Sequence, residues 1–124
     1  MKRTEVNISS SFPKLNIKDR TLFMGSCFAQ NIGSKFKELH LDAMINPLGV
    51  VFHPVPLFNL IDRALTKRCF KESDFFEFND YWFCYELSGT CAQYSMKESV
   101  THANKYLSVL RLYLETSNSL FVTL

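Results

Sequence analysis

Ser26 is the residue in this chain with the clearest route to chemistry. It follows a short apolar run, Thr21-Leu22-Phe23-Met24, closed by Gly25, and it precedes a stretch whose apolar residues recur at helical spacing. A serine at the mouth of a helix has a projecting hydroxyl and an amide among the unpaired first-turn donors. Those donors and the positive helix end favour negative charge, so one residue there can act as nucleophile and oxyanion donor together. The same position is the ordinary place for a serine N-cap, and the local pattern taken alone favours the cap. Cys27, beside it, reads either as a thiolate with its pKa lowered by the helix end or, given its apolar neighbours, as a packed thiol.

Few other side chains offer catalysis. The histidines are His40, His53 and His102. His40 falls where one helical stretch ends and His102 on the polar side of another. His53, in a loop, is the candidate to line a substrate cleft near Ser26. No D-x-x-H or S-P-x-x-H pattern occurs, and without an adjacent base a serine keeps little of the activation that an imidazole supplies. Cys27, Cys69, Cys84 and Cys91 show neither a C-x-x-C pair nor the Cys/His spacing of a zinc site. No metal and no cofactor is expected, and Cys69 and Cys84 read as small buried hydrophobes.

A turn of this kind needs a sheet and a helix to hold it. Residues 21–24 read as a strand buried on both faces, with Gly25 permitting dihedrals or close packing that a side chain would block. Phe28, Ile32, Phe36 and Leu39 form one stripe of a helix running to about His40. Residues 41–45 read as a second strand, stopped by Asn46-Pro47, and a loop follows through Gly49 and His53. Pro56 suits the first turn of a helix with Leu57, Leu60, Ile61, Ala64 and Leu65 on its apolar face and Lys67-Arg68 at its end. Residues 72–79 are ambiguous, a short helix or a turn near Ser73-Asp74, and residues 81–87 are aromatic and β-prone. Ser95-Met96-Lys97-Glu98 has capping-box spacing ahead of a long stripe, Val100, Ala103, Leu107, Leu110 and Leu114. Residues 119–124 read as one more core strand, and residues 4–8 as an edge strand ended by the serines and Phe12-Pro13. This alternation predicts an α/β fold, a mostly parallel sheet with helices on its faces.

The rest of the chain sets bounds. With 124 residues it is one domain at most, and an apolar share of 47% with 21% charged residues is that of a globular protein. The net charge of +2 is spread rather than gathered into a stripe, so no nucleic-acid partner is expected. The basic start, Met1-Lys2-Arg3, is not followed by an apolar run, and no window has the length of a membrane span. A cytoplasmic protein with reduced cysteines and no membrane partner is the expectation.

Phe23-Met24-Gly25-Ser26-Cys27-Phe28-Ala29-Gln30-Asn31-Ile32-Gly33 resembles the motif that names the GSCFA family, which is similar to the SGNH (GDSL-like) hydrolases. Asn46-Pro47-Leu48-Gly49 resembles that family's second element, and Arg3-Thr4-Glu5-Val6 its usual opening. The resemblance implies an SGNH-like three-layer α/β/α sandwich with Ser26 as nucleophile. It implies that the Ser26 and Gly49 amides bind the oxyanion, with Asn46 either orienting the loop through its side chain or starting a turn before Pro47. The implied substrate is a small-molecule or acylated-sugar ester.

The chain also departs from the family. The stretch after Trp82 lacks the family's histidine, and residues 120–124 resemble the strand just before a G-T turn that the chain does not contain. The expectation is therefore residues 1–124 as the N-terminal part of a single GSCFA/SGNH-like domain, incomplete, with little or no activity by itself and prone to self-association through an exposed C-terminal strand. The alternatives are a non-catalytic anion- or carboxylate-binding or assembly module, or a remnant without function.

Overall fold

The computed structural model describes residues 4–7, 9 and 14–124. Thr21–Gly25 forms β1, buried at all five positions, as an unalternating apolar run requires when both faces of a parallel strand are covered. It is the middle strand of a parallel sheet ordered β2-β1-β5, flanked by Ala43–Ile45 (β2) and Ser119–Thr123 (β5). Successive β1 side chains leave on opposite faces. Phe23 packs with Ala29 and Phe36 of α1 (Cys27–Glu38) and with Ala43 and Ile45 of β2. Leu22 and Met24 enter a larger core with Leu57, Leu60 and Ala64 of α2 (Pro54–Leu65) and Ala103, Leu107 and Leu110 of α3 (Met96–Thr116). The fold is α/β, with helices on both faces of a parallel sheet, as the sequence predicts.

Local chemistry explains the helix limits. Ser95 Oγ accepts the Glu98 amide at 3.1 Å, the serine half of a capping box that starts α3. His40 and Lys67 adopt left-handed φ values of 58° and 59° just beyond α1 and α2. In each case the next two amides turn back on the last turn: His40 to Lys37 O and Leu41 to Phe36 O, Lys67 to Ala64 O and Arg68 to Arg63 O. Both ends are Schellman motifs built without glycine.

A second, antiparallel sheet pairs β3 (Phe76–Phe78) with β4 (Tyr81–Phe83). Asn79 and Asp80 make its two-residue turn at φ 49° and 64°, the backbone of a type I′ hairpin. Arg63 anchors the neighbourhood of this hairpin to α2. Its guanidinium is buried, meets Glu86 at 2.6 Å and Asp74 at 3.3 Å, and stacks 4.4 Å over Phe70. The hydrogen bond to Glu86 holds its pKa above the ordinary arginine value.

Several expectations are corrected. The apolar stripe assigned to α1 is not its inner face: Phe28 is 61% and Leu39 71% exposed, and Ile32 is exposed too. The buried face is Ala29 and Gly33 with Phe36 beside them, because α1 lies very close to the sheet. A Cβ on Gly33 would come within 2.7 Å of Ile45 Cγ1, so only small residues fit there. Leu65 is exposed as well, and Arg63 takes a buried place on α2. α2 begins at Pro54, which leaves Pro56 in its first turn as expected. Of the two readings near Ser73-Asp74 the short helix holds, as the 3-10 helix Glu72–Asp74, while residues 81–87 contain only three strand residues, Tyr81–Phe83. β5 is a strand but not a core one, for Leu120, Phe121 and Val122 are all exposed along the sheet's outer edge. Residues 4–7 are in no strand, and Ile8 and residues 10–13 lie outside the described residues. Among the described residues, no helix is long and apolar enough to cross a membrane.

Candidate functional site

The carboxyl ends of the three parallel strands meet at Ser26. Gly25 ends β1, Asn46 follows β2, and Thr123 ends β5 opposite Gly25 in register. Gly25 has φ +122°, and a Cβ there would stand 1.7 Å from the Thr123 carbonyl oxygen, so neither the conformation nor the space admits a side chain. The turn is held from three directions. Asn46 Oδ1 accepts the Gly25 amide at 2.8 Å, the Val51 amide donates to Gly25 O at 2.9 Å, and the Ser26 amide donates to Thr123 O at 3.0 Å.

Ser26 occupies the N-cap position of α1 with extended backbone (φ −72°, ψ 178°), yet its side chain makes no capping bond. The cap comes from β5 instead: Thr123 Oγ1 accepts the Ala29 amide at 3.2 Å. The plain N-cap reading of Ser26 is thereby corrected. The Ser26 hydroxyl, on a residue only 7% exposed, lies 2.8 Å from Thr123 Oγ1, which also receives the Ser26 amide at 3.2 Å. The amides of Cys27 and Phe28 have no acceptor among the described residues, and Cys27 is exposed rather than packed.

Of its two expected alternatives, Asn46 starts the turn before Pro47. Its backbone has φ +40° and its carbonyl accepts the Gly49 amide at 2.8 Å, closing a turn around Pro47. Its side chain is buried and works on the Ser26 turn rather than on its own loop. Besides holding Gly25, its Nδ2 donates to Gln30 Oε1 at 3.1 Å. Gly49 has φ +83°, and its amide is engaged within the loop. The segment after β4 closes over the loop, with Cys91 Sγ donating to Leu48 O at 3.2 Å.

The histidines have their own local roles. His53 is the N-cap of α2, exposed, its Nδ1 accepting the Val55 amide at 3.2 Å. His40 supplies the left-handed residue that ends α1, and His102 rests against the Tyr106 ring at 4.7 Å. Among the described residues, the side-chain hydrogen bond to the Ser26 hydroxyl comes from Thr123. Grooves of about 550 Å³ beside Ser119 and Leu120 and about 520 Å³ along the outer side of α3 do not include Ser26.

Sequence reasoning singled out Ser26, Gly49, Asn46 and His53, and the structure links the first and third through Gly25, whose amide Asn46 Oδ1 accepts. It missed Thr123 and Gln30. The signal for Thr123 was its place at the end of a strand that pairs with β1 in parallel, since such ends converge on one rim.

No curated protein and no solved structure matches the chain. The model of the GSCFA family matches residues 20–124, a span that begins after Arg3-Thr4-Glu5-Val6 and contains the Ser26 turn, the Asn46–Gly49 loop and β5. This protein belongs to the GSCFA family.

Proposed function

We propose that Ser26 is the nucleophile of a serine esterase or acyl hydrolase of SGNH type, acting without a cofactor on small-molecule or acylated-sugar esters. One observation carries this reading: a serine hydroxyl at the carboxyl end of the central parallel strand is relieved of capping its own helix, because Thr123 does so. Ser26 Oγ would attack the acyl carbonyl, the alcohol would leave, and water would hydrolyse the acyl-serine. The oxyanion would form at the positive end of α1. The Ser26 and Gly49 amides are its assigned donors. Each already has an acceptor in the resting fold, Thr123 O and Asn46 O, so substrate would have to share or displace those bonds. The Cys27 and Phe28 amides stand beside them with no such competition. His53 enters this reading as a cleft-lining group, with Nε2 left for substrate once Nδ1 has taken the Val55 amide.

A fluorophosphonate probe tests the assignment. Labelling that disappears in Ser26→Ala is the expected result, and labelling that survives the substitution removes Ser26 from the role.

The second reading is a non-catalytic module that binds a carboxylate or other anion at the same turn. It is favoured by the hydrogen-bond partner of the Ser26 hydroxyl among the described residues, which is the Thr123 hydroxyl rather than an imidazole or a carboxylate. Titration with acetate and with acetylated sugars separates the two: turnover supports the hydrolase, and saturable binding without turnover supports the module.

A further inference from the structure

The hydroxyl of Thr123 has three neighbours and three bonding positions. A threonine hydroxyl offers two lone pairs and one proton. Two N–H groups, which can only donate, point at its oxygen: Ala29 at 3.2 Å and Ser26 at 3.2 Å, the latter shared with Thr123 O at 3.0 Å. With donors approaching both lone pairs, the 2.8 Å contact to Ser26 Oγ is best made with the threonine's own proton. The count favours Thr123 as donor and Ser26 as acceptor.

We propose that Thr123 is a positioning residue for Ser26, donating a hydrogen bond to its oxygen and thereby leaving the serine's proton free for a base. The proposal rests on the reading of Ser26 as nucleophile. It goes beyond that reading by naming the group that orients the nucleophile and steadies the charge developing on its oxygen. Thr123 also occupies a donor that would disarm the serine. Ala29 is the third residue of α1, and its amide is one of the two that an N-cap serine ordinarily takes. With Thr123 bonded there, Ser26 Oγ is not drawn to the Ala29 amide. Without the threonine hydroxyl, Ser26 would rotate to cap α1, and the helix would stay capped at the expense of the nucleophile.

The test compares the full chain carrying Thr123, Thr123→Ser and Thr123→Val, each first checked for native circular dichroism. Two readouts are used. The first is the rate at which Ser26 takes a fluorophosphonate. We expect this to fall about tenfold or more in Thr123→Val and to be largely restored in Thr123→Ser, a tenfold change being what one unit of pKa corresponds to. The second replaces the nucleophile itself: Ser26→Cys in a Cys27→Ala background, with iodoacetamide alkylation followed against pH by peptide mass. Its thiol should titrate about one pH unit higher with Val at position 123 than with Thr or Ser, because the thiolate loses a hydrogen-bond donor. Equal thiol profiles in the Val and Thr chains would show that Thr123 only caps α1, and would overturn the proposal. The two assignments fail separately. A parent chain whose Ser26 takes no fluorophosphonate removes the nucleophile, and this role with it. A parent that labels through Ser26 as fast as its Thr123→Val variant removes the role of Thr123 alone.

Discussion

Asn46 Oδ1 and the Gly25 amide, separated by 21 residues of chain, are joined by a buried hydrogen bond of 2.8 Å. The bond ties the end of β2 to the turn that presents Ser26, so the loop after β2 and the serine move as one piece. Asn46→Ala would leave a buried donor without a partner, which costs about 1–3 kcal/mol. The urea midpoint should fall accordingly with an unchanged slope. Gln30→Ala, which removes only the outer partner of Asn46, should cost clearly less. Equal losses for the two variants would show that the Gly25 bond is not the one that matters.

Arg63 should be among the least replaceable residues outside the core. Its partners Glu86 and Asp74 are themselves largely covered, and removing the guanidinium leaves both carboxylates without their cation. Arg63→Ala is expected to lose about 2–4 kcal/mol, between the value of an exposed pair and that of a fully buried one. Arg63→Lys should recover only part of this, since an ammonium can neither fork onto Glu86 nor lie flat on Phe70. Thermal unfolding of the three proteins checks the order.

The cysteines should divide two and two. Cys27 and Cys69 are exposed, and Cys84 and Cys91 are buried. Burial pushes both buried thiols above the ordinary range. In native protein the first pair should react with iodoacetamide directly and the second only through opening of the fold. Stability should respond to pH in the same sense. A thiol whose folded pKa is raised adds stability below its unfolded pKa of about 8.5, and that part is lost as pH rises toward the folded value. Urea midpoints should therefore be level from about pH 6 to 8 and decline above about 8.5. A decline absent from the Cys84→Ala/Cys91→Ala double variant assigns it to these groups.

A gain is expected at His40. Its φ of 58° is the left-handed conformation that a side chain resists and glycine accepts. His40→Gly should stabilise the protein by about 0.5–1 kcal/mol, less than the steric cost because glycine also loosens the unfolded chain. A destabilised variant would mean that the imidazole contributes more than the backbone strain costs.

The outer edge of β5 should drive association. Leu120, Phe121 and Val122 lie exposed along a strand that, among the described residues, pairs on one side only, the arrangement that recruits a second strand. Sedimentation is expected to depend on concentration, and Val122→Lys to suppress that dependence. An equally monomeric parent and variant would count against the edge.

How far the sequence could be read depended on what each element packs against. β1 was legible because a strand covered on both faces shows as an unbroken apolar run, and the inner residues of α2 and α3, such as Leu60 and Leu110, follow helical spacing. α1 was not, since a search for large apolar residues picks Phe28 and Ile32, whereas a helix lying close to a sheet turns Ala29 and Gly33 inward. The β3–β4 hairpin did leave a trace, Phe76-Glu77-Phe78 and Tyr81-Trp82-Phe83 on either side of Asn79-Asp80. At the site, Ser26 and Asn46 were visible because their chemistry is local to a turn. The part of Thr123 was not, because it exists only through pairing of β5 with β1, and no local pattern encodes which strands become neighbours.

Ser26 and Thr123 meet across 97 residues, and this has a consequence for how the protein is made. The ribosome releases α1 long before β5. Until Thr123 emerges, the nascent chain has nothing to receive the Ser26 amide and nothing but Ser26 itself to cap Ala29. During synthesis the serine would be an ordinary helix start. Its oxygen is released from that duty when β5 docks, so the order of translation keeps the hydroxyl occupied until β5 pairs with β1.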